Sequence, residues 1–222
     1  HFEDGIYILI KEVVDNSVDE FIMESGNRIT IRLKDNLVSV RDYGRGIPLG
    51  KVVECVSVIN TGGKFNDDVF QFSVGLNGVG TKAVNALSSH FKVTSFREGT
   101  FFEAIFSQGK LESEKRGKSD ESDGTLIEFI PDNSPNIFGE YAFQNEFIEE
   151  RLWNYAYLNT GLTLDFNRKL FSSKNGLLDL LDKHVGGDGL YKTIHYRDKK
   201  IEFAFTHTNN YGENYFSYVN GQ

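Results

Sequence analysis

The chain has a single cysteine, Cys55, and only three prolines in 222 residues. One thiol cannot form an intrachain disulfide, so the chain reads as a protein of a reducing compartment and is expected to be cytoplasmic. Cys55 lies in the apolar run Val52-Val53-Glu54-Cys55-Val56, which predicts a buried structural thiol rather than a nucleophile. The few prolines fit a chain of regular elements with few rigid linkers. No apolar run approaches the roughly 20 residues of a membrane span, so no membrane contact is expected. Gly5 to Ile10 is too short for a signal-peptide core. Positive charge is also in deficit, with 24 Lys and Arg against 32 Asp and Glu and a formal net charge of −8. Affinity for a phosphate backbone comes from cations, so this chain is a poor candidate for wrapping nucleic acid by itself. The chain opens at His1 and stops at Gln222 directly after a strand-like segment, and it reads as a piece of a longer protein.

What is present is a globular composition. Hydrophobic residues make up 39% of the chain, enough at this length for a sizeable core. Ile6, Leu9, Ile10, Val13, Val14, Ser17, Val18, Phe21 and Ile22 repeat at helical spacing, with Asp4 as expected N-cap and Gly26 as expected stop. Alternating runs at 28–33 and 37–40, separated by Asp35-Asn36, predict a β-hairpin. A short helix is expected at about 49–59. A long loop without periodicity then covers 60–78, and such loops are often lids or binding loops. A second helix is expected from Val79, with Val79, Ala83, Ala86 and Leu87 on one face. Strands are expected at 92–96, 101–107 and 125–130, with 112–123 a solvated connection. A helix at about 143–158 would turn Phe143, Phe147, Ile148, Leu152 and Tyr155 inward. A strand at 162–166 and a short helix at 177–181 follow. Gly186-Gly187-Asp188-Gly189 is the expected domain boundary, with strand-like runs beyond it at 201–206 and 215–219.

Three clusters could carry chemistry. Glu12, Asn16 and Asp19 form a cation-free polar stripe on the first helix. It is either a solvated face or a place where a carboxylate takes a proton from water while the amide oxygen ligates Mg²⁺. Asp42-Tyr43-Gly44-Arg45-Gly46-Ile47-Pro48 puts an acid at a strand end, followed by glycines that allow close backbone approach to a flat ligand. It is either a turn or an acceptor for the exocyclic amine of adenine. Gly75-Leu76-Asn77-Gly78-Val79-Gly80-Thr81-Lys82 opens a helix but matches neither the Walker A nor the dinucleotide glycine spacing. It is either a flexible loop or an anion site of exposed amides at a helix start. Lys64, in Asn60-Thr61-Gly62-Gly63-Lys64-Phe65, is either an exposed lysine or a phosphate contact.

The order of these clusters, closed by Gly124-Thr125 at a strand start, resembles the family uniting gyrase, heat-shock chaperones, histidine kinases and MutL mismatch-repair proteins. Within it, residues 12–20, 42–48 and 61–65, with 74–87 and Tyr218-Val219-Asn220-Gly221-Gln222, are similar to bacterial type IIA topoisomerase B subunits. The similarity covers nearly the whole chain. It implies an α+β two-layer sandwich, a mostly antiparallel sheet with helices on one face. The nucleotide domain would span 1–187 and the start of a truncated second, transducer domain 188–222. It implies ATP and Mg²⁺ as ligands, Glu12 as general base and Asn16 as the Mg²⁺ and phosphate ligand. Asp42 would take the adenine amine, with a water shared by Thr125. Gly46, Ile47 and Pro48 would wall the adenine slot, and Arg45 near Glu20 would cover its mouth. Gly75, Leu76, Asn77, Gly78, Val79, Gly80 and Thr81 would wrap the triphosphate beside Lys64. Arg97 matches an arginine that holds aminocoumarin inhibitors.

The implied activity is ATP-driven DNA topology change. ATP would dimerise two B subunits, and a partner A subunit would cleave DNA. Ile8 and Asn77 stand where many relatives have histidine, and Phe70-Gln71 where Tyr-Lys is frequent. Asn77 and the run Gly80-Thr81-Lys82-Ala83 lean towards topoisomerase IV over gyrase. With no arm ahead of His1 and no transducer lysine, the isolated chain is expected to be monomeric and slow in turnover. The competing readings are another ATPase of the same family, such as a chaperone or mismatch-repair protein, and a non-catalytic dimerisation module gated by nucleotide.

Overall fold

The computed structural model describes residues 2–57, 79–198 and 200–219. Helix α1 spans Phe2–Ile22 and leads into strands β1 (Arg28–Lys34) and β2 (Leu37–Asp42). A 3₁₀ turn at Leu49–Lys51 precedes α2 (Val52–Ser57), and α3 covers Gly80–Ala86. Strands β3 (Ser88–Arg97), β4 (Thr100–Ser107), β5 (Lys110–Lys118) and β6 (Gly124–Pro131) follow, then α4 (Asn145–Leu158), β7 (Thr163–Phe166) and β8 (Lys169–Phe171). The chain continues through α5 (Leu177–Val185), β9 (Ile194–Arg197) and β10 (Glu202–Phe205).

Eight strands form one sheet in the order β5-β4-β3-β6-β2-β1-β7-β8. Every pairing is antiparallel except β1 with β7. Strands alternate their side chains between faces, and one face carries Ile29, Ile31, Val38, Val40, Phe91, Val93, Ala104, Phe106, Ile127 and Phe129, all buried. Helix α1 packs there through Ile6, Leu9, Ile10, Val13, Val14 and Val18. The expected two-layer α+β architecture is therefore the observed one. The turn between β1 and β2 is Asp35-Asn36, as read from the sequence, with Asp35 at φ 54°.

Several local readings need correction. Asp4 lies inside α1 rather than capping it; an acid is favoured by the helix dipole throughout the first turn, so the signal does not separate the two places. The helix stop is made by Glu24, at φ 60°, with Ser25 N–H bonded to Glu20 O and Glu24 N–H to Phe21 O. Gly26 follows this stop, and a Cβ there would strike the Tyr43 carbonyl. Ile22 and Phe147 are exposed rather than inward. The buried face of α3 is Lys82, Val84 and Asn85, while Val79 and Ala86 are exposed. Residues 110–118 form a fully solvated edge strand rather than a connection. Its charged composition suits an edge that must not recruit other strands. Strands β8 and β9 have no counterpart in the sequence reading, and 215–219 is not a strand. The turn into β8 is Asn167-Arg168, both at positive φ, and arginine there gives no glycine signal. Cys55 is half-buried against the core, and burial pushes its thiol up.

Candidate functional site

Helix α1 connects two groups of the residues singled out in the sequence. Near its middle, the Glu12 carboxylate lies against the first residue of α3, and a Cβ at Gly80 would overlap Glu12 Oε2. One turn on, Asn16 Nδ2 donates to Glu12 O at 2.9 Å and to Thr81 Oγ1 at 2.5 Å. Both amide hydrogens are thereby used, and no described residue donates to Asn16 Oδ1. The amide is exposed, so its carbonyl oxygen is available to an outside partner. Asp19, the third member of the stripe, is buried at 4% exposure and belongs to the interior.

Two turns beyond Glu12, the Glu20 carboxylate meets the loop that follows β2. It accepts from Arg45 N–H at 2.9 Å, Nε at 3.1 Å and Nη2 at 2.8 Å. This hold raises the Arg45 pKa further above its ordinary value. Gly44 is required beside it, since a Cβ there would enter the Glu20 side chain. The eight helical steps from Glu12 to Glu20 span about 12 Å along the helix axis, the scale of an extended nucleoside triphosphate.

Asp42 ends β2 and is 6% exposed. Its Oδ1 accepts from Gly44 N–H at 3.0 Å and Thr125 N–H at 3.2 Å. No described group donates to Oδ2. Burial, with Glu20 adding to it, pushes the Asp42 pKa up to about 6 against the pull of the two N–H donors and Arg41. At neutral pH the group is mainly a carboxylate with one oxygen committed to backbone. Gly46, at φ 71°, closes the neighbouring wall: a Cβ there would lie 2.5 Å from Phe96 O. Ser95 Oγ donates to Ile47 O at 2.6 Å, fixing the strand-to-turn wall ahead of Pro48.

The fold thus brings Glu12, Asn16, Gly80 and Thr81 together beside the middle of α1. It brings Glu20, Asp42, Gly44, Arg45, Gly46, Ile47 and Thr125 together at its C-terminal end. Val79 is exposed beside Gly80. Arg97 ends β3 one residue past Phe96, half-exposed, with only a loose 3.8 Å approach to Glu98. Lys64, Gly75, Leu76, Asn77 and Gly78, with Phe70 and Gln71, lie outside the described residues. Ser95, Phe96 and Arg41 also shape the wall beside Asp42 and Gly46 and were missed from sequence, because each reads there as an ordinary strand residue.

No described set of three His, Cys, Asp or Glu side chains could hold a metal ion. The Asn16 amide oxygen could ligate a hard cation. No described helix is long and apolar enough to cross a membrane.

Comparison with known proteins gives the family and the fold. A family profile described as "Histidine kinase-, DNA gyrase B-, and HSP90-like ATPase" matches residues 2–135. The B subunit of DNA topoisomerase 4 from Borreliella burgdorferi is 60% identical over 223 residues, covering 100% of this chain and 37% of that protein. The Bacillus subtilis protein of the same name is 35% identical over 97% of this chain and 36% of its own length. Among solved structures, the 43K ATPase domain of Thermus thermophilus gyrase B in complex with an aminocoumarin matches with a TM-score of 0.75 at 29% identity. That match covers 95% of this chain and 59% of the solved one. The chain therefore spans little more than a third of the curated relatives it matches. With that profile matching residues 2–135 and a relative 60% identical over the whole chain, the chain belongs to the histidine kinase-, DNA gyrase B- and HSP90-like ATPase family.

Proposed function

We propose that this chain is the ATP-binding and ATP-hydrolysing part of a type IIA DNA topoisomerase B subunit, of the topoisomerase IV kind rather than gyrase. The observation that carries the reading is Asp42: a buried carboxylate whose Oδ1 is held by two backbone N–H groups and whose Oδ2 is left to accept the adenine amine. Gly46, Ile47 and Pro48 wall the base, and Arg45 closes the mouth under the hold of Glu20. Gly80 and Thr81, with Lys64, Gly75, Leu76, Asn77, Gly78 and Val79, wrap the phosphates. Arg97 is the contact for an aminocoumarin, the kind of ligand held by the Thermus thermophilus structure. Identity of 60% to a topoisomerase 4 B subunit supports topoisomerase IV.

Glu12 is the general base. Its carboxylate takes a proton from a water as that water attacks the γ-phosphorus and the bond to the bridging oxygen breaks, leaving ADP and phosphate. Asn16 Oδ1 would hold Mg²⁺, which would supply positive charge against the triphosphate. Thr81 Oγ1 accepts from Asn16 Nδ2 and so leaves the amide oxygen, not the nitrogen, for that role. In the complete protein, ATP would close a dimer of B subunits and power DNA passage with a cleaving A subunit in the cytoplasm. Residues 1–187 form the nucleotide domain and 188–222 begin the transducer. The left-handed Gly186 and Gly187 and the separate β9–β10 pair support that division.

Calorimetric titration of ATP and of an aminocoumarin into the chain and its Asp42→Asn variant tests the reading. Both ligands should bind the parent, and both should be strongly weakened in the variant. A folded parent that binds neither would refute it. In the full-length protein, Glu12→Ala should keep nucleotide binding and lose at least about 100-fold in turnover; unchanged turnover would make the site a nucleotide-gated dimerisation module.

A further inference from the structure

Arg41 stands directly before Asp42, and the function proposed above gives it no part. By register it shares the sheet face of Thr30 and Leu126, opposite the helices, where a long cation would ordinarily extend into water. It is nevertheless only 8% exposed. Its guanidinium lies between the rings of Tyr43 and Phe96, 4.6 Å from each centroid. Nη1 donates to the main-chain oxygen of Asp42, and Nη2 donates to Ser122 O at 2.5 Å. Burial lowers its pKa, against the charges of Asp42, Tyr43, Glu121 and Asp123, which favour the cation. One planar cation therefore ties the end of β2 to the turn that feeds β6. Gly124 makes room for it: at φ 135°, a Cβ there would overlap both Arg41 Nη1 and Asp42 O.

The turn held in this way is the one that delivers Thr125, whose N–H is one of the two donors on Asp42 Oδ1. Asp42 and Thr125 are 83 residues apart in sequence, and Arg41 is the side chain that joins their segments on the face away from the helices. We propose that Arg41 is a positioning residue for adenine recognition, clamping residues 122–124 to β2 so that Thr125 N–H engages Asp42 Oδ1 and Oδ2 remains the acceptor for the adenine amine. This rests on the reading of Asp42 given above. A guanidinium does this where an ammonium would not, because it presents two donors in a fixed plane and stacks on both rings. Its charge acts on the same carboxylate. The charged groups bearing on Asp42 are Glu20 from α1, which opposes ionisation, and Arg41 from its own strand, which favours it; β6 contributes the Thr125 N–H.

The test is calorimetric titration of ADP into the 222-residue chain and its Arg41→Gln, Arg41→Lys and Asp42→Asn variants, from about pH 5 to about pH 8. The parent should bind ADP less tightly as pH falls through the Asp42 titration, and Asp42→Asn should lose binding. Arg41→Gln should bind about tenfold or more weakly and should move the pH midpoint upward, which a purely structural role would not do. Arg41→Lys should keep the midpoint near that of the parent and still bind several-fold more weakly. If Asp42→Asn loses binding while both Arg41 variants keep the parent's affinity and midpoint, the role of Arg41 is overturned and the adenine site stands. Weaker binding by Arg41→Gln at an unshifted midpoint also overturns it, leaving a structural staple. A folded parent that binds no ADP overturns the site and this proposal together. Should melting curves show Arg41→Gln unfolded, Arg41→Lys decides alone, and parent-like affinity in it overturns the proposal.

Discussion

Without nucleotide, the Asp42 carboxylate should destabilise the chain, and removing its charge should stabilise it. Burial raises the group from an ordinary aspartate's 3.8 to about 6. A raised carboxylate pKa means that the folded state binds the proton more tightly than the unfolded state. The penalty is therefore absent below the unfolded pKa, grows between about pH 4 and about pH 6, and is complete above that. Its size by linkage is about 3 kcal/mol. Asparagine at this place keeps an acceptor for Gly44 and Thr125 and removes the charge. Its amide nitrogen then replaces the oxygen to which no described group donates, a loss of about 1 kcal/mol. Asp42→Asn should thus be about 1–3 kcal/mol more stable than the parent near pH 8, or about 2–4 °C in Tm per kcal/mol at this chain length. Near pH 4 the advantage should vanish. Urea unfolding followed by circular dichroism, without nucleotide, at the two pH values measures this directly. A variant less stable than the parent near pH 8, or a difference that does not change with pH, would refute the burial argument.

Two further outcomes follow from the geometry. Gly80→Ala, in the full-length protein, should raise local helix propensity by up to about 1 kcal/mol yet displace the Glu12 carboxylate it would overlap. Turnover should fall by about tenfold or more, beyond any weakening of nucleotide binding, and phosphate release at saturating ATP, beside a nucleotide titration and a melting curve, separates the effects. Asp165 is buried on β7 between Arg32 at 2.7 Å and Arg28 at 2.6 Å, of which Arg32 does most to hold its pKa down to about 2. A depressed carboxylate stabilises above its unfolded pKa and loses that contribution as pH falls through about 2. Both arginines are about half exposed, so solvent screening reduces the effect to about 1 kcal/mol. Asp165→Asn should cost that much at neutral pH, and the gap to the parent should close in acid denaturation curves; a gap constant with pH would exclude the ion pair as its source.

The long elements were legible because they repeat. Nine positions of α1 announce a helix, and seven of them, from Ile6 to Val18, are buried as read. Ile22 broke the pattern because the chain turns away at Glu24 before that last turn meets the sheet. The short α3 lies where its sequence predicts, but with a different face inward. With seven residues its apolar positions do not define a face, and the packing of Val84 and Asn85 against the interior decided it. Strand β5 was hidden because it buries nothing and pairs along one edge only, so no alternation is imposed on its side chains. At the site, Asp42, Gly44 and Gly46 stood out because an acid and glycines after a strand are chemically unusual. Arg41 and Ser95 did not, because nothing local separates a clamp from a strand residue.

The sequence by itself determined the long helices and the strands at the centre of the sheet, which residue types could meet a nucleotide, and the order in which they occur along the chain. It did so because periodic burial and the steric freedom of glycine are local properties. Only the tertiary structure decided which of those residues meet. The insertion of β6 between β3 and β2 carries Thr125 to Asp42 and Ser122 to Arg41. The packing of α3 on α1 puts Gly80 against Glu12 and Thr81 on Asn16 across 65 residues. The raised pKa of Asp42 is likewise a property of burial, which exists only once the chain has closed around it.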